Sequence, residues 1–171
     1  PDEVRRGIAG GVDGFEHTGR ATAPGYPEDV LDLIRDRAAQ GNRPPLFWTP
    51  TIEALFSYET IRDEFPEKLD DPCWKVGLPD DIVRDITQSL VNWDRLAYYR
   101  MVPPRRPTLD RKFEELRSSG AILLIGTDSG IPGKFHCQST WNELEVWVNR
   151  LGGPAMEAIR HPNVVPVRDA I

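Results

Sequence analysis

With 171 residues, the chain is long enough for one domain with its own core. It is 39% hydrophobic and 28% charged, as a globular domain is, and a net charge of −6 without a basic stripe argues against nucleic acid or an anionic membrane surface as partner. No apolar run approaches the ~20 residues that cross a bilayer.

The opening residues lack a signal-peptide pattern. Residues 1–10 read as the middle of a helix and its exit, so the chain is expected to be a piece of a longer one. Asp2 to Ala9 is weakly helical, with Gly10-Gly11 as a stop. Val12 to Glu16 follows as a short strand, ending in Glu16-His17-Thr18-Gly19. Pro27 at a first helical position, followed by Glu28 and Asp29, starts a helix with Val30, Leu31, Ile34 and Ala38 on one face and a stop at Gly41. Pro45 to Thr49 is a second strand, and Thr51 to Arg62 a helix. Residues 63–107 read as a helical excursion, with a helix from Pro79 to about Leu96 and a turn at Pro103-Pro104-Arg105-Arg106-Pro107. Leu109 to Ser118 is a helix stopped by Gly120. Ala121 to Ile125 is a continuous apolar run, which suits a strand buried on both faces. Thr140 to Leu151 is the clearest helix, with a capping box at Thr140 and Glu143 and a stripe of Trp141, Leu144, Val148 and Leu151. Pro154 starts a short helix to about Arg160.

Short strands alternating with helices predict an α/β fold with parallel strands, in which chemistry gathers at strand ends. Two roles fit Asp128 there. Gly126, Ser129 and Gly130 leave room for a ligand, so its carboxylate is a metal ligand or catalytic group, or else it caps the turn that follows. His17, at the end of its strand, is a metal ligand or a hydrogen-bonded structural residue. His136, in the loop Gly133-Lys-Phe-His-Cys-Gln, contacts substrate or holds the loop. Glu16 points away from His17, and His161 in the tail carries no assigned role. Trp74, Trp93, Tyr98 and Tyr99 in the excursion are core residues or part of a substrate pocket. Cys73 and Cys137 are far apart without Cys-x-x-Cys spacing, which excludes a zinc ribbon and fits the reducing cytoplasm. No Gly-x-Ser-x-Gly elbow and no phosphate loop is present.

The segments Gly11-Val-Asp-Gly-Phe-Glu-His17-Thr-Gly and Gly126-Thr-Asp128-Ser-Gly-Ile-Pro-Gly resemble the strand-six and strand-eight segments of the amidohydrolase superfamily, in its imidazolonepropionase-like and Xaa-Pro dipeptidase-like branch. Glu143-Leu-Glu and Leu151-Gly-Gly-Pro-Ala-Met-Glu-Ala-Ile-Arg160 are similar to the helices that follow, and Phe135-His136 to a loop histidine after strand eight. The resemblance implies that residues 1–160 are strands six to eight of a (β/α)8 TIM-type barrel, with 63–107 inserted and 161–171 a divergent tail. It implies a metal-dependent hydrolase, holding one or two divalent ions, usually zinc, and cleaving a C–N bond of a small amide, peptide-like or cyclic amide. His17 is then the strand-six metal ligand or a substrate-side histidine, Asp128 is the strand-eight metal ligand and also shuttles the proton of the metal-activated water, and His136 touches substrate. The family's His-x-His, its strand-four ligand and its strand-five histidine are absent here, so the remaining ligands come from the rest of the barrel or from a partner copy. The alternative is a truncated, inactive barrel remnant that needs a partner chain to cover its open edge.

Overall fold

Glycines at positive φ punctuate the chain, and the first of them, Gly11 at φ 87°, stops α1 (Asp2–Gly10) where two consecutive glycines predict a stop. The computed structural model describes residues 2–19, 22–131 and 133–163, with side chains through residue 159. After α1 comes β1 (Gly14–Glu16), then α2 (Glu28–Ala39). Pro27 stands one place before α2, at its cap, and Glu28 and Asp29 occupy the first turn, where carboxylates favour the helix dipole. Val30, Leu31 and Ile34 are buried as their spacing predicts. Arg37, in the last turn, is also buried, because its guanidinium donates to Pro44 O at 2.8 Å and to Asp13 at 2.8 Å.

β2 (Phe47–Thr49) and β3 (Ile122–Leu123) complete one parallel sheet in the order β1-β2-β3. Phe15 lies beside Trp48, and Trp48 beside Leu123. The chain is thus α/β, mostly helical around a small parallel sheet. The apolar run at 121–125 was expected to be buried on both faces. Only Leu123 is buried, because β3 is the outer strand of the described sheet and has one strand neighbour. Trp48 anchors the core, its ring 4.9 Å from Phe15 and 5.5 Å from Tyr26.

Between β2 and β3 the chain is helical. α3 (Ala54–Glu59) runs into a wider π-type turn at Thr60–Glu64, followed by short 3-10 turns at Pro66–Leu69 and Pro72–Lys75. α4 (Asp80–Val91) ends at Asn92, earlier than expected. α5 (Ala97–Arg105) contains Pro103 and Pro104, which the sequence placed in a turn. Burial of Tyr99 and Val102 in the main core holds this helix against the loss of two N–H donors in its last turn. α6 (Leu109–Ser118) matches its expected bounds and buries Leu109, Phe113 and Leu116. The excursion at 63–107 therefore divides: α5 joins the main core, while Trp74 and Leu90 join Phe135 in a second, smaller cluster.

α7 (His136–Glu145) starts four residues before the expected capping box, and a π-type turn at Val146–Arg150 extends it. Thr140 caps nothing there. Glu143 is buried and accepts the backbone N–H groups of Ile52 at 3.0 Å and Glu53 at 2.7 Å. That use of the carboxylate turns the helix, so Trp141 is 73% exposed while Trp147 is fully buried against Phe113. α8 (Ala155–Asn163) takes in residues 161–163 of the expected tail, and the rest of the tail lies outside the described residues. The two cysteines are not lone thiols: Cys73 and Cys137 form a disulfide, with Cα atoms 6.2 Å apart, joining a 3-10 turn to the first turn of α7.

Candidate functional site

Each strand of the sheet is followed by a residue whose backbone turns left-handed: His17 after β1 (φ 62°), Thr51 after β2 (φ 48°) and Asp128 after β3 (φ 52°). Among the described residues they are the non-glycine positions with positive φ. Asp and His tolerate this region, but for a β-branched threonine it is strained, and such strain collects at functional sites. The β1 and β2 ends are tied together. His17 N–H donates to Thr49 O at 2.8 Å, Trp48 Nε1–H donates to His17 O at 2.6 Å, and His17 Nδ1 shares a hydrogen bond with Thr51 Oγ1 at 2.6 Å. This last bond orients the ring. When Nδ1 carries the proton, the lone pair of Nε2 is left for a ligand.

His17 and Asp128 line one cleft of about 390 Å³, together with Thr51, Tyr98, Arg105 and Lys134. His17 and Asp128 are both solvent-exposed at its mouth. Among the described residues the Asp128 carboxylate makes no hydrogen bond, so it does not cap the turn after it. Thr127 and Ser129 instead bond to each other, Oγ1 to Oγ, at 2.6 Å. Gly126 does not make room for a ligand: a Cβ there would stand 2.2 Å from Thr49 Cγ2, so its bare Cα is required by packing between the ends of β2 and β3.

His136 lies elsewhere. It is the exposed first residue of α7, not a loop residue, and it lines a neighbouring groove of about 450 Å³ with Trp74, Leu78, Ile86, Phe135 and the disulfide. The two cavities share Ile131 and Lys134. Of the excursion's aromatics, Tyr98 reaches the cleft, Trp74 stacks on Phe135 at 4.6 Å, and Trp93 and Tyr99 pack against Tyr58. Thr51 was overlooked in the sequence, although it follows a strand as His17 and Asp128 do. Tyr98, Arg105 and Lys134 carry no local signal, since helices distant in sequence bring them in.

Beneath the cleft lies a fully buried polar group. Lys134 Nζ stands 3.4 Å from Glu53 Oε2, an ion pair too long to satisfy that oxygen with a good hydrogen bond. Asn142 donates to Glu53 Oε1 at 3.3 Å. Burial raises the Glu53 carboxyl above its ordinary range, with the charge of Lys134 pulling the other way. Burial also pushes Glu143 up to about 7, against the two backbone N–H groups that favour its ionised form. The Tyr98 hydroxyl is raised by burial, with Arg105 opposing.

An imidazole and a carboxylate are the right kind of donors for zinc, but a catalytic zinc site takes three protein ligands. Among the described residues no group of three His, Cys, Asp or Glu side chains comes together to hold a metal ion. The set fits in kind and falls short in number. Comparison of the chain with protein-family models, with curated proteins and with solved structures found no match.

Proposed function

We propose that this chain is the strand-six to strand-eight part of a metal-dependent amidohydrolase barrel, cleaving a C–N bond of a small amide, peptide-like or cyclic amide substrate. One observation carries the reading: His17 and Asp128, at the ends of the two outer strands of a parallel sheet, line the same cleft. Sheet order adds support, since three sequential parallel strands with neighbouring pairing are what a barrel segment has. Chemistry at the C-terminal ends of the strands is where such a fold places it.

In this reading His17 and Asp128 are two ligands of a divalent ion, zinc by preference, whose other ligands come from further strands or a partner copy. When bound, such an ion would supply Lewis-acid chemistry, lowering the pKa of a water and polarising a carbonyl. Asp128, with its carboxylate free of hydrogen bonds from described residues, accepts the proton of the attacking water and delivers it to the leaving nitrogen. His136 contacts substrate in this scheme only where the substrate extends past Ile131 into the neighbouring groove. No described helix is long and apolar enough to cross a membrane. The Cys73–Cys137 disulfide favours an oxidising compartment over the cytoplasm expected from two separate thiols.

The test is zinc content and amide hydrolysis in the full-length protein, with and without Asp128→Ala. Loss of both on substitution is expected; unchanged metal content and unchanged hydrolysis would reject the reading. A second reading, an inactive remnant that needs a partner chain, is favoured by the two-donor set. Stoichiometric zinc binding with turnover by the 171-residue chain alone would remove it.

A further inference from the structure

Thr51 stands between two sets of contacts. On the cleft side its Oγ1 hydrogen bonds to His17 Nδ1 at 2.6 Å. On the other side the two residues that follow it give their backbone N–H groups to one carboxylate. Ile52 N–H donates to Glu143 Oε1 at 3.0 Å, and Glu53 N–H to Glu143 Oε2 at 2.7 Å. Thr51 is left-handed at φ 48°, whereas Glu53 is right-handed at φ −52°, ψ −39°. Such a change of hand within a turn brings successive N–H groups to one side, into a concavity that takes an anion. Here the anion is a side chain of the same protein, 90 positions from Glu53.

A branched side chain is strained in the left-handed region and needs its surroundings to keep it there. The two bonds to Glu143 depend on that turn, and hydrogen bonds to a charged acceptor are among the strong ones. Glu143 is fully buried in α7 and does not line the cleft. The Lys134–Glu53 pair anchors the same segment, but it grips a side chain two residues beyond the turn and leaves the Ile52 N–H to Glu143.

We propose that Glu143 is a positioning residue for His17: by holding the Ile52 and Glu53 N–H groups it fixes the left-handed turn at Thr51, whose Oγ1 sets the imidazole. The proposal deepens the metal-site reading and rests on it for the sense of the bond, Nδ1–H donating to Thr51 with the Nε2 lone pair left for the cleft.

The experiment reads the two neutral tautomers of His17 from imidazole nitrogen shifts by NMR. The protein is held in chelator at about pH 9, where an ordinary histidine is neutral. The Nδ1–H form is expected to exceed the Nε2–H form by about tenfold, as one hydrogen bond gives. Thr51→Val, which removes the hydroxyl, and Glu143→Gln, which leaves it in place, are both expected to abolish the preference, and Thr51→Ser to keep it. Leu90→Ala, a truncation in the second cluster, is expected to lower stability and leave the ratio alone.

A Glu143→Gln chain with an unchanged circular dichroism spectrum and an unchanged ratio overturns the proposal. Glu143→Asp, which draws the carboxylate back by one methylene, takes its place where Glu143→Gln does not fold. Equal tautomers in the unsubstituted protein overturn it whatever the variants do, and so does a fall in Leu90→Ala as large as in Glu143→Gln. A preference for Nε2–H that disappears in Glu143→Gln supports the positioning and counts against His17 as a metal ligand. The assay involves neither metal nor turnover. Failed hydrolysis with an intact dependence on Glu143 therefore counts against the hydrolase alone, and hydrolysis with a ratio indifferent to Glu143 against the positioning alone.

Discussion

On one side of Ile131 and Lys134 lies a polar cleft whose mouth is backbone set by the parallel sheet; on the other lies an apolar groove walled by Trp74, Leu78, Ile86 and Phe135 and closed by the Cys73–Cys137 bond. The first is positioned by strand ends that hydrogen bond to one another. The second depends on side-chain packing in a small cluster and on one covalent cross-link. A site built on strand ends is fixed by the core, whereas a groove built from a satellite cluster opens when its tether goes.

The largest effect falls on the shared wall. Lys134→Met leaves the buried Glu53 carboxylate without its cation, and a cost of about 3–5 kcal/mol at pH 8 is expected from denaturant unfolding. Because burial raises Glu53, lowering the pH neutralises it more readily and shrinks that cost. A penalty independent of pH would mean that the two clefts are not joined through this pair.

Next comes the tether. The disulfide spans 64 residues, and the chain-entropy argument gives about 4 kcal/mol as the upper end for opening a loop of that size. Reduction, or Cys73→Ser with Cys137→Ser, is expected to raise amide hydrogen exchange in residues 72–91 and at the start of α7, leaving β1 and β2 protected. Equal loss of protection in the sheet would erase the distinction between the two cavities.

Glu143 gives a third, smaller effect of about 2 kcal/mol for Glu143→Gln, because one of the two backbone N–H groups then faces an amide donor. Its sign with pH is fixed. A carboxyl raised by burial to about 7, against its ordinary 4.5, favours folding fully below the unfolded value. That contribution declines as pH rises through the folded one. Thermal stability of the wild-type chain should therefore fall between about pH 4.5 and pH 7, and Glu143→Gln should flatten that fall.

The smallest effect on stability is expected at the mouth. Asp128→Asn, at an exposed carboxylate without hydrogen bonds from described residues, should change unfolding by less than about 0.5 kcal/mol. It should nevertheless abolish hydrolysis, and a large loss of stability would make Asp128 a structural residue.

Much of this layout was legible in residue order. Pro27 with its acidic followers, the 109–118 helix and the three short strands stand where spacing predicts them, because each is set by local patterning and its own stop signals. The failures share a physical cause. The box at Thr140 and Glu143 is locally a good cap, but the carboxylate serves two N–H groups some 90 positions away. Pro103 and Pro104 signal a turn, but core packing of Tyr99 and Val102 carries the helix through them. For the cleft, His17 and Asp128 were visible as polar residues closing apolar strands. Arg105 and Tyr98 enter by tertiary folding of a helix whose sequence says nothing of its neighbours.

The left-handed turns at His17, Thr51 and Asp128 give the cleft a signature that selection experiments can read. A library randomised at these three positions and sorted only for thermal resistance should drift toward glycine and asparagine, most strongly at Thr51, where a branched side chain fits that backbone least well. Sorted for turnover instead, it should keep the native side chains in spite of their conformational cost. The gap between the two populations would measure how far the mouth of this cleft has been shaped by its use and not by folding.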